Sequence, residues 1–535
     1  MLSSRPLSSR IPVGFAVAVL IASAGCGPTP ISYLDRLHAC SSSESPVDAY
    51  CGTLSVFENR QTRTGRRISL NIVLLPAVAN DPKPDPLFFL AGGPGQGAAQ
   101  MAREIREGFR RVQRDRDIVL VDQRGTGKSN PLDCRDPQDN LRDALAPPED
   151  SLPRLRQCLA GYDADVRLYT TPIAMDDLDD VRAYLGYDRV NLYGGSYGTR
   201  AALVYMRQHG DHVRAAILDS VAPTDMRLPM FAARDAQRAL DKLLDDCDAD
   251  TRCRATFPDL SGRIRALMQR LEKQPVHARV VHPRTGIAEE VDIRAQIVAS
   301  ILFGALYSPA TASIVPMLVD RAERDDFQSL LALAVAGGAA ENMSLGMQLS
   351  VLCSEDAGRF TAADVSRATA GTVFGDHLLV TQIKACDFWP RGTVDASYYE
   401  PVASDVPTLV LSGDLDPVTP PTWGQSVAQH LSRAMHVEVP GSGHGVISTA
   451  CGKQLVQTFL DRGTTDGLDT SCAKTTHRPP FFVSPAGPDP GTVGRPDPGT
   501  VGRPNPGTVG RTSPKPLGEG GSGPATPAND GASSR

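Results

Sequence analysis

Three residues of this chain have the types and settings for nucleophilic attack on a carbonyl carbon: Ser196, Asp416 and His444. Ser196 lies in Gly194-Gly195-Ser196-Tyr197-Gly198, after the apolar run Val190-Asn191-Leu192-Tyr193 and before a helix-like stretch from Thr199 to His209. A hydroxyl is a weak nucleophile until a base takes its proton. It must also stand clear of the sheet, on a strand-to-helix turn so tight that only small neighbours fit. His444, in Pro440-Gly441-Ser442-Gly443-His444-Gly445 after the apolar run Met435 to Val439, is the expected base, taking the serine proton and passing it to the leaving group. Asp416, in Ser412-Gly413-Asp414-Leu415-Asp416-Pro417 after Thr408 to Leu411, is the expected acid that fixes the imidazole tautomer. Asp414 is the rival for that role, but an aspartate beside Gly413 is ordinarily a turn former.

An oxyanion formed by such an attack needs two backbone N–H donors. The first is expected from Tyr197, the residue after the nucleophile, at a helix N-terminus whose dipole favours negative charge. The second is expected from the loop after an early strand, where Phe88-Phe89 leads into Leu90-Ala91-Gly92-Gly93-Pro94-Gly95; Gly93 is the first choice and Gly92 the second. No Cys-x-x-Cys and no Cys/His grouping at zinc-like spacing stands out, so neither a metal nor a cofactor is expected. Gly127-Lys128-Ser129 is not a phosphate loop, because Asp122 stands five positions before Gly127, where that motif has glycine.

These loops need strands to carry them. Besides the three already named, Ile68 to Pro76, Pro86 to Leu90, Asp117 to Val121 and Ala215 to Leu218 read as strands, with helices over Arg103 to Arg114 and Met175 to Leu185. Continuous apolar strands alternating with helices predict a mostly parallel α/β sheet covered on both faces. Between Asp225 and Asp405 the pattern turns mainly helical, around 230–247, 261–273, 293–306 and 309–337. The expected organisation is therefore a first core part over 27–224, a helical cap over 225–404 inserted before the last core strands, and a second core part over 405–477.

Both ends read differently. Arg5 and Arg10 precede the apolar run Ile11 to Ala24, too short to span a bilayer, so residues 1–26 are expected to be a secretory signal peptide. Ser23-Ala24-Gly25-Cys26 places small residues before a cysteine, as bacterial lipidation sites do, although Ser23 stands where that pattern prefers leucine. Cys26 is the expected lipid anchor and the sole expected membrane attachment. Of 11 cysteines, removing Cys26 leaves an even set, which in an exported protein reads as disulfides. Sequential pairing gives 40–51, 134–158, 247–253, 353–386 and 451–472. Three Pro/Gly repeats over 488–511 place 478–535 in an expected disordered tail. The formal net charge of −6 with both signs interspersed, and no Lys/Arg block, excludes a nucleic-acid partner.

Five strings occur here in the order of a known group: Ala91-Gly92-Gly93-Pro94-Gly95, Asp122-Gln123-Arg124-Gly125-Thr126-Gly127-Lys128-Ser129, Gly194-Gly195-Ser196-Tyr197-Gly198, Gly413-Asp414-Leu415-Asp416-Pro417-Val418-Thr419-Pro420 and Gly443-His444-Gly445. From about Asp48 to Cys472 the chain resembles the prolyl aminopeptidase and secreted tripeptidyl aminopeptidase branch of the α/β-hydrolases. One departure is Ala91, where prolyl aminopeptidases usually have histidine. The resemblance implies an α/β-hydrolase fold and an exported or cell-envelope serine peptidase. It would release residues or short peptides from free N-termini of peptide substrates through an acyl-enzyme. It further implies that Glu355, helped by Asp356, holds the substrate α-ammonium, and that Trp389 anchors the cap or else lines the pocket. Two alternatives share the fold: an exported carboxylesterase or lipase, which needs no role for Glu355, and a non-catalytic binding scaffold.

Overall fold

The apolar runs form buried strands of one nine-stranded sheet in this computed structural model, which describes residues 33–134, 141, 145, 148–336 and 343–489. The strands in chain order are β1 (His38–Ala39), β2 (Tyr50–Phe57), β3 (Arg67–Leu75), β4 (Leu87–Leu90), β5 (Ile118–Val121), β6 (Val190–Gly195) and β7 (Val213–Asp219). After the insert, which contains β8 (Val276–Val281) and β9 (Ala288–Ile293), come β10 (Thr408–Gly413) and β11 (Ala434–Val439). The sheet order is β1-β2-β3-β5-β4-β6-β7-β10-β11. β1, β2 and β3 run antiparallel to their neighbours, and β5-β4-β6-β7-β10-β11 are parallel. β4, β5 and β10 are buried at every position, which a parallel strand covered on both faces requires.

Helices close both faces. The helices Thr171–Leu185 and Tyr197–His209 pack Met175, Val181, Ala201 and Val204 on one side, against Leu192, Ala216 and Val410. On the other side Ile105, Val112, Val456 and Phe459 cover Leu120, Ile217 and Leu411. The parallel arrangement sends the C-terminal ends of β4, β5, β6, β7, β10 and β11 to one edge of the sheet, where ligand sites of open α/β sheets form.

The insert has its own apolar core, in which the helices Ala232–Ala249, Leu260–Lys273, Ala295–Leu306 and Val315–Ala322 bury Leu240, Leu267, Val298 and Val319. It also contains the antiparallel hairpin β8-β9, for which the sequence reading had no strand. Trp389 is the anchor expected of it, buried beside Tyr197 and Met347 and donating from Nε1 to Ser350 Oγ at 3.1 Å. The five disulfides are those of sequential pairing, Cys40–Cys51, Cys134–Cys158, Cys247–Cys253, Cys353–Cys386 and Cys451–Cys472.

The expected tail begins too early. Residues 478–489 fold back over the insert: Phe481 is buried in its core, Phe482 N–H donates to Ser313 O at 3.1 Å, and Arg478 pairs with Asp246 at 3.2 Å and stacks on Phe481. A phenylalanine pair followed by valine supplies apolar surface that the Pro/Gly repeats lack. The repeats from 490 on, the signal segment and Cys26 lie outside the described residues. Among the described residues no helix is long and apolar enough to cross a membrane.

Candidate active site

β6 delivers Ser196 at its C-terminal end, with φ 56° and ψ −125°. That backbone is costly for any residue with a Cβ and is held by its surroundings. Ser196 N–H donates to Asp219 O at 3.0 Å, and its carbonyl accepts from Thr199 N–H at 2.9 Å. The glycines are steric requirements: a Cβ on Gly194 would lie 2.3 Å from Gly198 O, and one on Gly198 would lie 2.1 Å from Leu90 O.

The loops after β10 and β11 bring Asp416 and His444 together. His444 Nδ1 lies 2.9 Å from Asp416 Oδ2. Asp416 is fully buried, and its Oδ1 accepts the N–H groups of Val418 and Thr419, both at 2.8 Å, while Thr419 Oγ1 donates to Oδ2 at 2.8 Å. Burial alone would raise this carboxyl, but the facing imidazolium and the hydrogen bonds outweigh it and hold the pKa at about 2. His444 is pressed down by burial and pulled up more strongly by Asp416, so it lies above the ordinary histidine value. The arrangement is a carboxylate that stays ionised beside an imidazole able to accept a second proton. Asp414 does something else: its Oδ1 accepts Gly441 N–H at 2.7 Å, tying the two loops together.

Several residues that hold these loops went unnoticed in the sequence. Asp219, at the end of β7 and fully buried, accepts Val446 N–H at 2.8 Å, Ile447 N–H at 2.9 Å and Tyr193 Oη–H at 2.7 Å. Ser220 Oγ accepts Gly445 N–H at 2.8 Å. The two residues thus grip the chain just after His444. From the insert, Tyr307 O accepts His444 N–H at 2.9 Å and its ring meets the imidazole edge-on at 5.0 Å. Arg238 donates to Asp414 O at 2.8 Å and Asp416 O at 2.7 Å. An acid at the C-terminal end of a buried strand, next in the sheet to the strand bearing Ser196, is a signal that Leu218-Asp219-Ser220 offered.

The glycine loop after β4 lies against the nucleophile, since a Cβ on Gly92 would come within 3.2 Å of Ser196 Cβ. The Gly92 N–H donates to Gln96 Oε1 at 3.2 Å, whereas the N–H of Gly93 (φ +108°) and that of Tyr197 have no hydrogen-bond partner among the described residues. The neighbouring Asp122 explains the turn that follows β5: its carboxylate accepts from Ala99 N, Lys128 N and Asn71 Nδ2 at 2.9, 3.0 and 2.9 Å. It is a structural knot beside the glycine loop.

The chain is similar in sequence to known peptidases. The TAP-like protein family matches residues 371–472. The serine protease Hip1 of Mycobacterium tuberculosis is 26% identical over 474 residues, covering 80% of this chain and 88% of that protein. A tripeptidyl aminopeptidase of Streptomyces lividans is 25% identical over 470 residues, covering 81% and 86%. A proline iminopeptidase of Neisseria gonorrhoeae is 29% identical over 143 residues, covering 27% and 34%. Over about four fifths of its length the chain is thus similar to a serine protease and to a tripeptidyl aminopeptidase. It is a serine-type peptidase.

One expectation for this hydrolase needs correction. Glu355 and Asp356 do not face open space; both side chains are wholly buried, in a π-turn over Leu352–Asp356. Glu355 Oε1 accepts Thr171 N–H at 2.6 Å, and Oε2 accepts from Thr171 Oγ1 at 3.0 Å and from Tyr398 Oη. Asp356 Oδ2 accepts from Arg200 Nη1 at 2.7 Å, and that same Nη1 lies 3.7 Å from Glu355. Burial pushes both carboxyls up and Arg200 opposes it. Both oxygens of Glu355 and Oδ2 of Asp356 are thus committed inside the protein, while Asp356 Oδ1 has no hydrogen-bond partner among the described residues and lies 3.5 Å from Arg359 Nη1. Sequence could not show this, because Arg200, on the Ser196 helix, lies more than 150 positions away.

Proposed function

We propose that Ser196, His444 and Asp416 are the catalytic triad of an exported aminopeptidase that works through an acyl-enzyme. His444, kept in one tautomer by Asp416, removes the Ser196 proton as the hydroxyl attacks the scissile carbonyl and then protonates the departing amine. The N–H groups of Tyr197 and Gly93 receive the oxyanion, with Gly92 excluded while Gln96 occupies its donor. Water repeats the sequence on the acyl-enzyme. The observation that carries this reading is the 2.9 Å contact between His444 and buried Asp416, on loops at the same sheet edge as the strained Ser196 turn.

Peptide substrates follow from the relatives' names, as does action at a free N-terminus, residue by residue or three at a time. Export is supported by the five disulfides, which persist in oxidising compartments, and by the signal-like first 26 residues with Cys26 as the lipid-bearing terminus. The committed state of Glu355 and Asp356 favours a second reading, in which the same triad accepts peptides or esters with no demand for a free amine.

The test uses the secreted chain and its Ser196→Ala variant on aminoacyl- and tripeptidyl-amides with free and acetylated N-termini, and on a short-chain ester. Free-amine amides should be cleaved and acetylated ones spared, and Ser196→Ala should remove on the order of 10⁶-fold in kcat. Equal turnover of acetylated substrates, or of the ester, would move the assignment to the second reading.

A further inference from the structure

We propose that Asp179, His209 and His212 form a site for a divalent transition-metal ion of the zinc type, at the end of the Ser196 helix remote from the reaction. That helix, Tyr197–His209, ends about 20 Å from Ser196 at 1.5 Å per residue. A short turn, Gly210–His212, then brings a second histidine three positions on. Both imidazoles meet the helix Thr171–Leu185, which carries Asp176 and Asp179 one turn apart.

The donor atoms converge. One atom each of Asp179, His209 and His212 lie within 4.8 Å of one another. His212 Nδ1 is 2.7 Å from Asp179 Oδ1, and His209 Nδ1 is 3.7 Å from Asp179 Oδ2. A tetrahedral ion with bonds of about 2.0–2.2 Å spaces its ligands about 3.4 Å apart, close to the second separation.

A second, independent contact points the same way. His209 Nε2 lies 3.0 Å from Asp176 Oδ1. A carboxylate on the far nitrogen is the device that fixes the tautomer of a metal-bound histidine. With the proton on Nε2, Nδ1 keeps a free lone pair 3.7 Å from Asp179 Oδ2, near the spacing of two ligands on one ion.

Arg182 is the competing cation and must be accounted for. Its Nε donates to Asp179 Oδ1 at 2.7 Å, where Tyr205 Oη also donates at 2.8 Å, while Nη2 reaches Oδ2 at only 3.3 Å. Oδ1 therefore carries the short structural bonds, and an ion at Oδ2 displaces only the long one from Arg182 Nη2. On binding, His212 Nδ1 exchanges its bond to Oδ1 for the metal and releases any proton it carries to solvent, as metal ligation requires. Two imidazoles with one carboxylate suit zinc, nickel or copper, whereas calcium and magnesium prefer all-oxygen sites. Side-chain exposures of 16% for Asp179, 21% for His209 and 38% for His212 leave an entry path.

The test uses the full chain with disulfides intact, stripped with a chelator, and titrates zinc by calorimetry and by thermal unfolding, with cobalt(II) absorption reporting geometry. One ion per chain is expected, with proton release and a raised Tm. His209→Ala and His212→Ala should each abolish saturation, and Asp176→Asn should weaken binding by about 10–100-fold. His277→Ala, whose imidazole sits between Glu290 and Asp292 on the β8-β9 hairpin, should change nothing. His212 is at the rim, so its variant keeps the fold if His209→Ala does not. No saturable zinc binding by the folded chain, or binding that survives both histidine variants, would overturn the proposal.

Discussion

Asp416 in the core and the Glu355–Asp356 pair in the insert are equally buried, yet the molecule holds them in opposite ways. Asp416 faces an imidazole, three hydrogen-bond donors of its own loop, and a histidine edge that still reaches solvent. Its pKa falls to about 2. Glu355 and Asp356 face Arg200, a cation that cannot give up its proton, and burial raises their pKa values against its pull. The first centre can pass charge back and forth during a reaction. The second can only hold charge still, and it does so across the seam between the Ser196 helix and the insert. Burial alone does not separate the two; the partner does.

The largest effect is expected where the partner titrates. Asp416→Asn should lower kcat by about 10⁴-fold, the scale seen when a triad acid loses its charge. The pH profile sharpens this. His444 must be neutral to act as base, so kcat/KM should fall as pH drops through a value above that of an ordinary histidine. Asp416 is what raises that value, while burial lowers it, so in Asp416→Asn the acid limb should move to lower pH even as the rate falls. An acid limb that stays put would detach Asp416 from His444.

Next comes the fixed cation. Arg200→Met leaves Glu355 without its cation and Asp356 with only Arg359, 3.5 Å away, which should cost about 3–5 kcal/mol in urea unfolding. Adding Asp356→Asn to that variant should restore part of the loss. If Arg200→Met were stable and altered only KM for free-amine substrates, the pair would be a binding site after all.

Asp219 lies between these extremes, since it touches the catalytic loop and not the imidazole. Asp219→Asn weakens its acceptance of Val446 and Ile447 N–H and should cost about 1–3 kcal/mol, with kcat falling and the acid limb of the profile moving. A loss of stability with unchanged kcat and pH profile would make it a core residue only.

The residues legible in the sequence are those whose local backbone is demanding. The small flanks of Ser196, the glycines before His444 and the apolar strands leading to each loop all leave marks within a few positions. β2 left none, because its burial alternates irregularly at the antiparallel side of the sheet. Glu355 and Asp356 were misread for the opposite reason. Their own segment looks like a helix end, and what decides their state is Arg200, contributed by a distant helix. Phe481 likewise belongs to the insert's core only through contacts made after the chain has crossed the second core part. Chemistry written into a loop can be read from sequence, whereas chemistry assembled across the fold cannot.

The smallest effect should come from Asp414, two residues from the acid. It is partly buried and burial raises its pKa, but its one strong partner is the Gly441 N–H. Asp414→Asn keeps an acceptor oxygen there, so the loop-to-loop tie survives in weakened form, at about 1 kcal/mol or less. Because Arg238 reaches this loop through the carbonyls of Asp414 and Asp416, it is indifferent to the side-chain change. Activity should drop less than tenfold and the acid limb of the pH profile should not move. The pair of asparagine variants then divides the loop cleanly: the same substitution two residues apart separates the carboxylate that steers a proton from the one that shapes a turn. A loss at Asp414 comparable to that at Asp416 would reverse their roles.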